Sequence, residues 1–169
     1  VTGSHLSREH GFTVNEIKEK GFSPNIEIDL NLHNDTSDSI SNSIGIGIKE
    51  FTKAYRILSP DIIVVLGDRY EILSAAISAL ISKLPLAHIH GGEVTEGAFD
   101  EAIRHSVTKM SHLHFVANDI YKKRVVQLGE LPKNVYTVGG LGVDALKKTQ
   151  IIIKEDLEKS LECAFLDKN

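Results

Sequence analysis

Two periodicities of hydrophobic and polar positions alternate along the chain. Short apolar runs, rich in β-branched residues and bounded by turn residues, predict strands over residues 25–30, 61–68, 84–90, 112–117 and 134–139. Longer stretches with apolar residues three or four positions apart predict helices over residues 38–58, 70–83, 99–110, 119–128 and 141–148. Strands and helices therefore alternate, and this order predicts an α/β fold with a doubly wound parallel sheet.

The apolar runs differ in how deeply they should be buried. The run DIIVVLGD at 61–68 is apolar nearly throughout, which is typical of a central parallel strand, whereas NIEIDL at 25–30 alternates and is expected nearer an edge. The tail KEDLEKSLECAF at 154–165 has helical spacing, but no strand pattern follows it. We expect one domain over residues 1–150 and a terminal helix or linker over 151–169.

Charge and composition exclude several classes of partner. The 169 residues have a formal net charge of −4 and their basic residues are spread out, which argues against nucleic acid or an anionic membrane as a partner. The single cysteine, Cys163, can form no internal disulfide, and no apolar run is long enough to span a bilayer. The start, VTGSHLS, lacks the features of a signal peptide and resembles the interior of a longer chain. We expect a cytoplasmic protein whose partner is a small molecule.

Polar residues beside glycine lie at the carboxyl ends of predicted strands. They are Gly67, Asp68 and Arg69 after one strand, His90, Gly91, Gly92 and Glu93 after the next, and Gly3, Ser4 and His5 near the start. Ligands of open parallel sheets bind beyond these ends, where glycine permits close backbone approach and Asp or His can act as acid or base. The alternative is that the glycines only turn the chain.

The predicted helix at 99–110 follows one of these glycine loops. Asp100 and Arg104 are four residues apart, as are Glu101 and His105, so the spacing predicts two ion pairs near the start of the helix. Such pairs are also common on solvent-exposed helices, where each is worth only about 0.3–0.5 kcal/mol. Their position directly after the Gly-Gly-Glu loop favours a reaction site, because several titratable groups would converge in one crevice.

Three other kinds of site fit the sequence poorly. GIGIKEF near Gly45 lies inside a helical pattern rather than between a strand and a helix, so it is no dinucleotide-binding loop. The GxSxG sequence of a serine hydrolase is missing. The histidine pairs at 88 and 90 and at 112 and 114 lack a third ligand at a familiar spacing, which favours satisfied polar histidines over a metal site.

Four segments resemble the UDP-N-acetylglucosamine 2-epimerases, and among them the hydrolysing type that supplies sialic acid synthesis. The segments are VTGSHLS, VLGDRYEILSAA, HIHGGEVTEGAFDEAIRHSVTKMSHLHFVA and RVVQLGELPKNVYTVGGLGVDAL, and they extend from residue 1 to about residue 146. The resemblance implies the N-terminal, Rossmann-like half of a glycosyltransferase-B type fold, without its first strand and its C-terminal domain. It also implies a homodimer, no cofactor and no metal, and a fragment that is inactive alone.

The resemblance also implies a reaction. The C2 proton of UDP-N-acetylglucosamine is removed as UDP leaves by anti elimination, and water adds to the resulting 2-acetamidoglucal to give N-acetylmannosamine. By position in the shared segments, Asp68 and Asp100 correspond to active-site carboxylates, and Arg104 is the partner of Asp100. Glu101 is a weaker catalytic candidate. Substrate contacts are expected from His5, Arg69, Gly91, Gly92 and His105.

One position departs from the family pattern. Many relatives have glutamate before the glycine pair, where this chain has His90. Either His90 takes the acid–base role, since imidazole titrates near neutral pH, or Glu93 reaches in from the loop. Three alternatives to the main prediction remain. They are the same reaction on a UDP-linked 2,4-diacetamido-trideoxy sugar, a sugar-nucleotide-binding module without activity, and a glycosyltransferase donor half, which fits the fold although nothing in the sequence indicates an acceptor site.

Overall fold

A parallel sheet lies at the centre of the fold, with four strands in the order β1-β2-β3-β4. The strands are β1 (Ile63–Leu66), β2 (Leu86–Ile89), β3 (Leu113–Val116) and β4 (Val135–Thr137). The structure is a computed structural model and describes residues 1–32, 34–149, 151–163 and 165. Because every strand pair is parallel, all four carboxyl ends lie at one edge of the sheet.

Helices connect the successive strands. α1 (Val14–Glu19) and α2 (Ser37–Leu58) precede β1, and the strands are joined by α3 (Tyr70–Ile81), α4 (Asp100–Met110) and α5 (Asp119–Gln127). Two short 3-10 turns occupy Gly3–Leu6 and Pro132–Asn134. Local capping explains some of these starts: the Asn118 side chain accepts a hydrogen bond from the backbone of Tyr121 and caps α5. The predicted α/β fold with a parallel sheet is confirmed.

The chain divides into two units, Val1–Gly139 and the residues from Gly140 onward. The second unit contains α6 (Leu141–Lys148) and α7 (Lys154–Leu161), and neither helix has a buried residue. The helix predicted at 141–148 and the helical spacing of the tail are therefore confirmed. The domain boundary near residue 150 stays a prediction.

One face of the sheet is covered by helices. Val65, His88, His114 and Val135 are aligned across the four strands and are all buried on this face. α3 and α4 pack here, and α3 does so through small residues that let it approach the strands closely, namely Ala75, Ala76 and Ala79. The opposite face is more open, since Val64 is 60% and Tyr136 45% exposed. The prediction of a central strand at 61–68 is therefore wrong, because β1 is the first strand in the order and its apolar residues on this face are exposed.

The strand predicted at 25–30 is wrong as a strand of the sheet. The segment forms one isolated parallel bridge, between Thr2 and Ile28. No longer ladder forms because the segment that pairs with Ile28 is too short: directly after Thr2 the chain turns into a 3-10 helix at Gly3. Ile28 and Leu30 are nevertheless buried, and they pack against Ala54 of α2. The alternating pattern thus predicted correctly which residues are buried, but not the absence of continuous strand pairing.

Candidate active site

The carboxyl ends of β1 and β2 bring the main predicted residues together. β1 and β2 are paired neighbours, with Leu66 aligned to Ile89. Asp68 lies two residues beyond the end of β1, and His90 lies directly beyond the end of β2. Residues far apart in sequence therefore meet at one edge, as expected for ligand sites of open parallel sheets.

Asp68 forms an ion pair with Arg104 of α4. Arg104 Nη2 donates to Asp68 Oδ2 and also to Thr95 Oγ1, the latter at 2.7 Å. The Arg104 side chain is only 6% exposed and that of Asp68 is 21% exposed. Burial lowers the pKa of the Arg104 guanidinium, but arginine titrates so far above neutral pH that the group stays positive. Asp68 is thus a partly accessible carboxylate beside a buried cation.

The predicted ion pair between Asp100 and Arg104 is wrong. Side chains of a helix point towards its N-terminus, and Arg104 uses that direction to reach Asp68 in the loop beyond β1. Asp100 is the first residue of α4, is partly exposed, and forms no hydrogen bond or ion pair within the described part of the chain. Its carboxylate is therefore available to meet a ligand.

The second predicted pair of α4 is present. Glu101 Oε1 lies 3.4 Å from His105 Nε2, and both side chains are partly exposed. His105 Nδ1 is buried and has no hydrogen-bond partner among the described residues. Glu101 thus has a partner of its own on the helix surface, which distinguishes it from Asp100.

His90 has an unusual backbone conformation. Its φ is +67°, in the left-handed region, which costs a residue with a Cβ about 1–2 kcal/mol. Its backbone N–H donates to the carbonyl oxygen of Phe115 in β3 at 2.9 Å. His90 Nδ1 lies 2.5 Å from Glu93 Oε1, so the two candidates for the acid–base role contact each other.

Gly91 and Gly92 are buried and let the loop pack closely against its neighbours. A Cβ on Gly92 would lie 2.5 Å from the carbonyl oxygen of Tyr121 in α5, and its φ is +78°. The Gly92 carbonyl accepts a 2.6 Å hydrogen bond from Arg124, also in α5. Close packing is therefore a sufficient reason for the second glycine, as in the alternative interpretation, while its predicted substrate contact stays a prediction.

A buried histidine fixes the backbone beside Asp68. His88 Nε2 lies 2.8 Å from the carbonyl oxygen of Gly67, and His88 Nδ1 lies 3.2 Å from Thr108 Oγ1. A carbonyl can only accept, so Nε2 donates and Nδ1 accepts from the threonine hydroxyl. Burial lowers the pKa of His88 to about 4, partly opposed by the bond to Gly67. His88 is thus a neutral, satisfied core histidine, as predicted, and it holds the peptide that precedes Asp68.

The N-terminal segment and Arg69 line two adjoining cavities of about 260 and 280 Å³. Ser4 and Arg69 line both cavities, and Asp68 lines the larger one. The Arg69 side chain is 64% exposed, while Glu71 behind it is buried and accepts from Arg69 Nε at 3.2 Å. His5 is exposed, and its Nδ1 lies 2.6 Å from the hydroxyl of Thr13.

The chain matches the UDP-N-acetylglucosamine 2-epimerase family over residues 1–168. It belongs to that family. A GDP/UDP-N,N'-diacetylbacillosamine 2-epimerase (hydrolyzing) of Campylobacter jejuni is 48% identical over 162 residues, which are 96% of this chain and 42% of the relative. A UDP-N,N'-diacetylbacillosamine 2-epimerase (hydrolyzing) of Legionella pneumophila is 41% identical, over 86% of this chain and 38% of the relative. The polysialic acid biosynthesis protein P7 of Escherichia coli is 40% identical, over 94% and 40% respectively.

This epimerase-family chain spans about two-fifths of the length of these relatives. Its fold is that of solved 2-epimerases. The UDP-N-acetylglucosamine 2-epimerase of Rickettsia bellii aligns with a TM-score of 0.76 at 15% identity, over 96% of this chain and 43% of that one. The Neisseria meningitidis enzyme bound to UDP-GlcNAc gives 0.70 at 21% identity, over 90% and 43%. The predicted Rossmann-like, glycosyltransferase-B type fold is confirmed.

The epimerase fold brings together four of the predicted residues at neighbouring strand ends, namely Asp68, His90, Glu93 and Arg104. Two contributors were not singled out from the sequence: Thr95, which accepts from Arg104, and Glu71, which accepts from Arg69. His88 was considered only in weighing a possible metal site, and its contact with Gly67 was not predicted. Glu71 lies in the first turn of α3 and Thr95 in the loop between β2 and α4, and only their place shortly after predicted strands could have drawn attention to them. The catalytic and substrate-binding roles, the homodimer and the cytoplasmic location stay predictions.

No helix in 1–32, 34–149, 151–163 and 165 is long and apolar enough to cross a membrane. Within the same residues, no group of three or more His, Cys, Asp or Glu side chains is arranged to hold a metal ion.

Proposed function

We propose that this chain is the acid–base part of a hydrolysing nucleotide-sugar 2-epimerase. The observation that supports this most directly is the convergence of the Asp68–Arg104 ion pair and the His90–Glu93 hydrogen bond beyond the paired strands β1 and β2. Membership of the 2-epimerase family supplies the reaction class. A binding module without activity would not need this set of titratable groups in one crevice.

The proposed reaction has two steps. In the first, a base takes the C2 proton of the sugar, a C1–C2 double bond forms, and the C1–O bond breaks with its electrons leaving on the nucleoside diphosphate. In the second, the oxygen of water bonds to C1 and one water O–H bond breaks with its proton passing to solvent, while an acid delivers a proton to C2 on the opposite face. The sum is substrate plus water to the free 2-epimeric sugar plus nucleoside diphosphate, without oxidation or reduction.

The geometry supports distinct roles for the carboxylates. Asp100 has a partly exposed carboxylate at the start of α4, without a partner in the part of the chain that the structure describes, and this suits proton transfer. Arg104 donates hydrogen bonds to both Asp68 and Thr95, so the Asp68 carboxylate is held in one orientation. We assign the Asp68–Arg104 pair to orienting the sugar and supporting charge that develops as the diphosphate leaves.

The relatives change the order of the two candidate substrates. UDP-N-acetylglucosamine was the first expectation from sequence, with the diacetamido-trideoxy sugar as the alternative. The two relatives at 48% and 41% identity are both named for N,N'-diacetylbacillosamine, and the Neisseria meningitidis UDP-N-acetylglucosamine 2-epimerase is 31% identical. We therefore propose the nucleotide of N,N'-diacetylbacillosamine as the preferred substrate and UDP-N-acetylglucosamine as the second candidate, favoured by the family name.

NMR of the full-length protein in D2O tests both parts of the proposal. Each nucleotide sugar is supplied separately, and the anomeric signals and the deuterium content at C2 are followed. We expect a free 2-epimeric sugar deuterated at C2, with a higher kcat/KM for the diacetamido-trideoxy substrate. A higher value for UDP-N-acetylglucosamine would reverse the substrate order, and binding of both nucleotides without turnover would instead support the binding module.

A further inference from the structure

His90 and Glu93 form one hydrogen-bonded unit at the carboxyl end of β2. Nδ1 of His90 lies 2.5 Å from Oε1 of Glu93, and the side chains are 23% and 28% exposed. An ionised carboxylate can only accept, so Nδ1 has the proton and the lone pair is on Nε2. We propose that Glu93 is a positioning residue that holds His90 in this tautomer, so that Nε2 exchanges the proton with the nucleotide sugar. The proposal rests on the proposed function and assigns roles within its site.

The backbone explains why His90 is partly exposed rather than buried in the core. Residues two apart in a strand share a face, so an extended residue at 90 would lie on the same face as the fully buried His88. The left-handed φ of +67° interrupts that alternation immediately after β2. The hydrogen bond from the His90 N–H to Phe115 then fixes the residue to β3. His90 is therefore anchored on the rigid sheet while its ring is partly accessible.

The loop places Glu93 where it can act on the ring. Gly92, packed against Tyr121 and held by Arg124, comes directly before Glu93. The chain therefore returns towards the end of β2 with little freedom, and the carboxylate is brought to Nδ1. A carboxylate on the far nitrogen fixes the tautomer of a catalytic imidazole and stabilises its protonated form, which is the logic of the Asp-His pair in serine proteases.

Imidazole suits the exchanged proton better than the carboxylate beside it. One Glu93 oxygen is already used by Nδ1, whereas Nε2 has no hydrogen-bond partner among the described residues and is therefore available to exchange a proton with a ligand. Glu93 would then contribute to turnover only through His90. This dependence distinguishes a positioning residue from a catalytic one, because once His90 is replaced, substitution of Glu93 should have little further effect on kcat.

A double-mutant cycle in the full-length protein tests this dependence. We expect Glu93→Gln to lower kcat about 100-fold with KM changed less than about threefold, and His90→Gln to lower kcat about 1,000-fold. In the His90→Gln background, Glu93→Gln should lower kcat by less than about threefold. Glu96→Gln is the matched control, because Glu96 lies in the same loop and is exposed. A full 100-fold further loss in the double variant would overturn the proposal, since Glu93 would then act on its own.

The tautomer can be observed without turnover. In protein labelled with ¹⁵N-histidine, the ring nitrogens of His90 should show protonated Nδ1 and unprotonated Nε2 at neutral pH, and Glu93→Gln should shift this balance while Glu96→Gln leaves it unchanged. A protonated Nε2 in the unsubstituted protein would overturn the assignment. If neither nucleotide sugar is turned over, the proposed function fails, and the nitrogen shifts still decide whether Glu93 sets the tautomer.

Discussion

At the scale of single residues, the Arg104 guanidinium is costly to bury. Its Nε and Nη1 are buried and have no hydrogen-bond partner among the described residues. A buried donor without a partner costs about 1–3 kcal/mol, and a buried ion pair gives little net stability in return. A hydrophobic residue of similar size would serve the core as well. The cost is therefore best explained by the site, where Arg104 holds Asp68 at the end of β1.

Asp100→Asn tests the proposed proton transfer at the same scale. We predict that kcat in the full-length protein falls about 10²- to 10⁴-fold, because the amide cannot exchange the proton. The free energy of unfolding should change by less than about 0.5 kcal/mol, because Asp100 is partly exposed and has no partner among the described residues. Glu101→Gln, its neighbour on α4, is the control and should lower kcat by less than about tenfold. Near-normal turnover by Asp100→Asn would remove the assignment.

His88 should make stability depend on pH. Its pKa is lowered from 6.5 to about 4 by burial, so the unfolded chain binds this proton more readily than the folded protein. Its contribution to stability is therefore complete above pH 6.5 and is lost as the pH falls towards 4. We predict that between pH 7 and pH 5 His88 accounts for a loss of about 2 kcal/mol in the free energy of unfolding.

Urea unfolding of His88→Gln at both pH values measures this contribution. The variant should be less stable than the wild type at pH 7, because it loses the bond to Gly67, but its stability should decline less between pH 7 and pH 5. Equal declines in the two proteins would show that His88 is not the source.

At the scale of elements, α2 and α3 pack closely because α3 presents small side chains to α2. Ser74 donates to the Ile44 carbonyl at 3.2 Å, and Ser78 donates to the Ile48 carbonyl at 2.9 Å. Gly47 of α2 lies opposite Ser74, where an added Cβ would be 2.8 Å from the serine Cβ. Gly45, two residues earlier in α2, is exposed and has open space beside it. The two glycines therefore have different reasons to be there.

Alanine at each glycine separates packing from helix propensity. Gly47→Ala should lower the free energy of unfolding by about 1–3 kcal/mol, because the helices must move apart. Gly45→Ala should raise it by about 0.5–1 kcal/mol, because alanine favours the helix and meets nothing. Thermal or urea unfolding of the two variants measures both signs, and a stabilised Gly47→Ala would contradict the close approach.

The elements that were predicted well from the sequence are those determined by the pattern of residues within the element itself. The helix predicted at 38–58 is observed at Ser37–Leu58, and the run at 61–68 contains β1. The strand at 25–30 failed because a strand needs a partner, which periodicity does not report. The ion pair of Arg104 failed for the same reason: spacing showed Asp100 four residues away, but the chosen acceptor is Asp68, 36 residues away. The expected reaction came from the resemblance to a known family, whereas the hydrogen bond between His90 and Glu93 could be recognised only in the folded structure.

At the scale of the whole molecule, the site lies at an open edge. Asp68, His90 and Glu93 side chains are 21–28% exposed, so water has access to each of them. The chain also spans about two-fifths of the length of its relatives. Proton transfer and elimination are favoured when water is excluded from the reacting groups, whereas these three side chains are partly open to water in this structure.

We therefore predict that the purified 169-residue chain releases no free sugar from either nucleotide sugar. The NMR assay described for the full-length protein measures this at equal protein concentration, and circular dichroism confirms that the chain is folded. Release of a 2-epimeric sugar by the chain alone would show that these residues suffice for catalysis.

The left-handed backbone at position 90 also limits which mutations the protein can tolerate. A β-branched side chain is particularly unfavourable at a φ of +67°, whatever chemistry it brings. In a saturation library at this position, selection for folded protein alone should deplete Val, Ile and Thr. Selection for growth that depends on the product should remove most of the remaining residues as well. The difference between the two selections would separate the conformational constraint at position 90 from the chemical one.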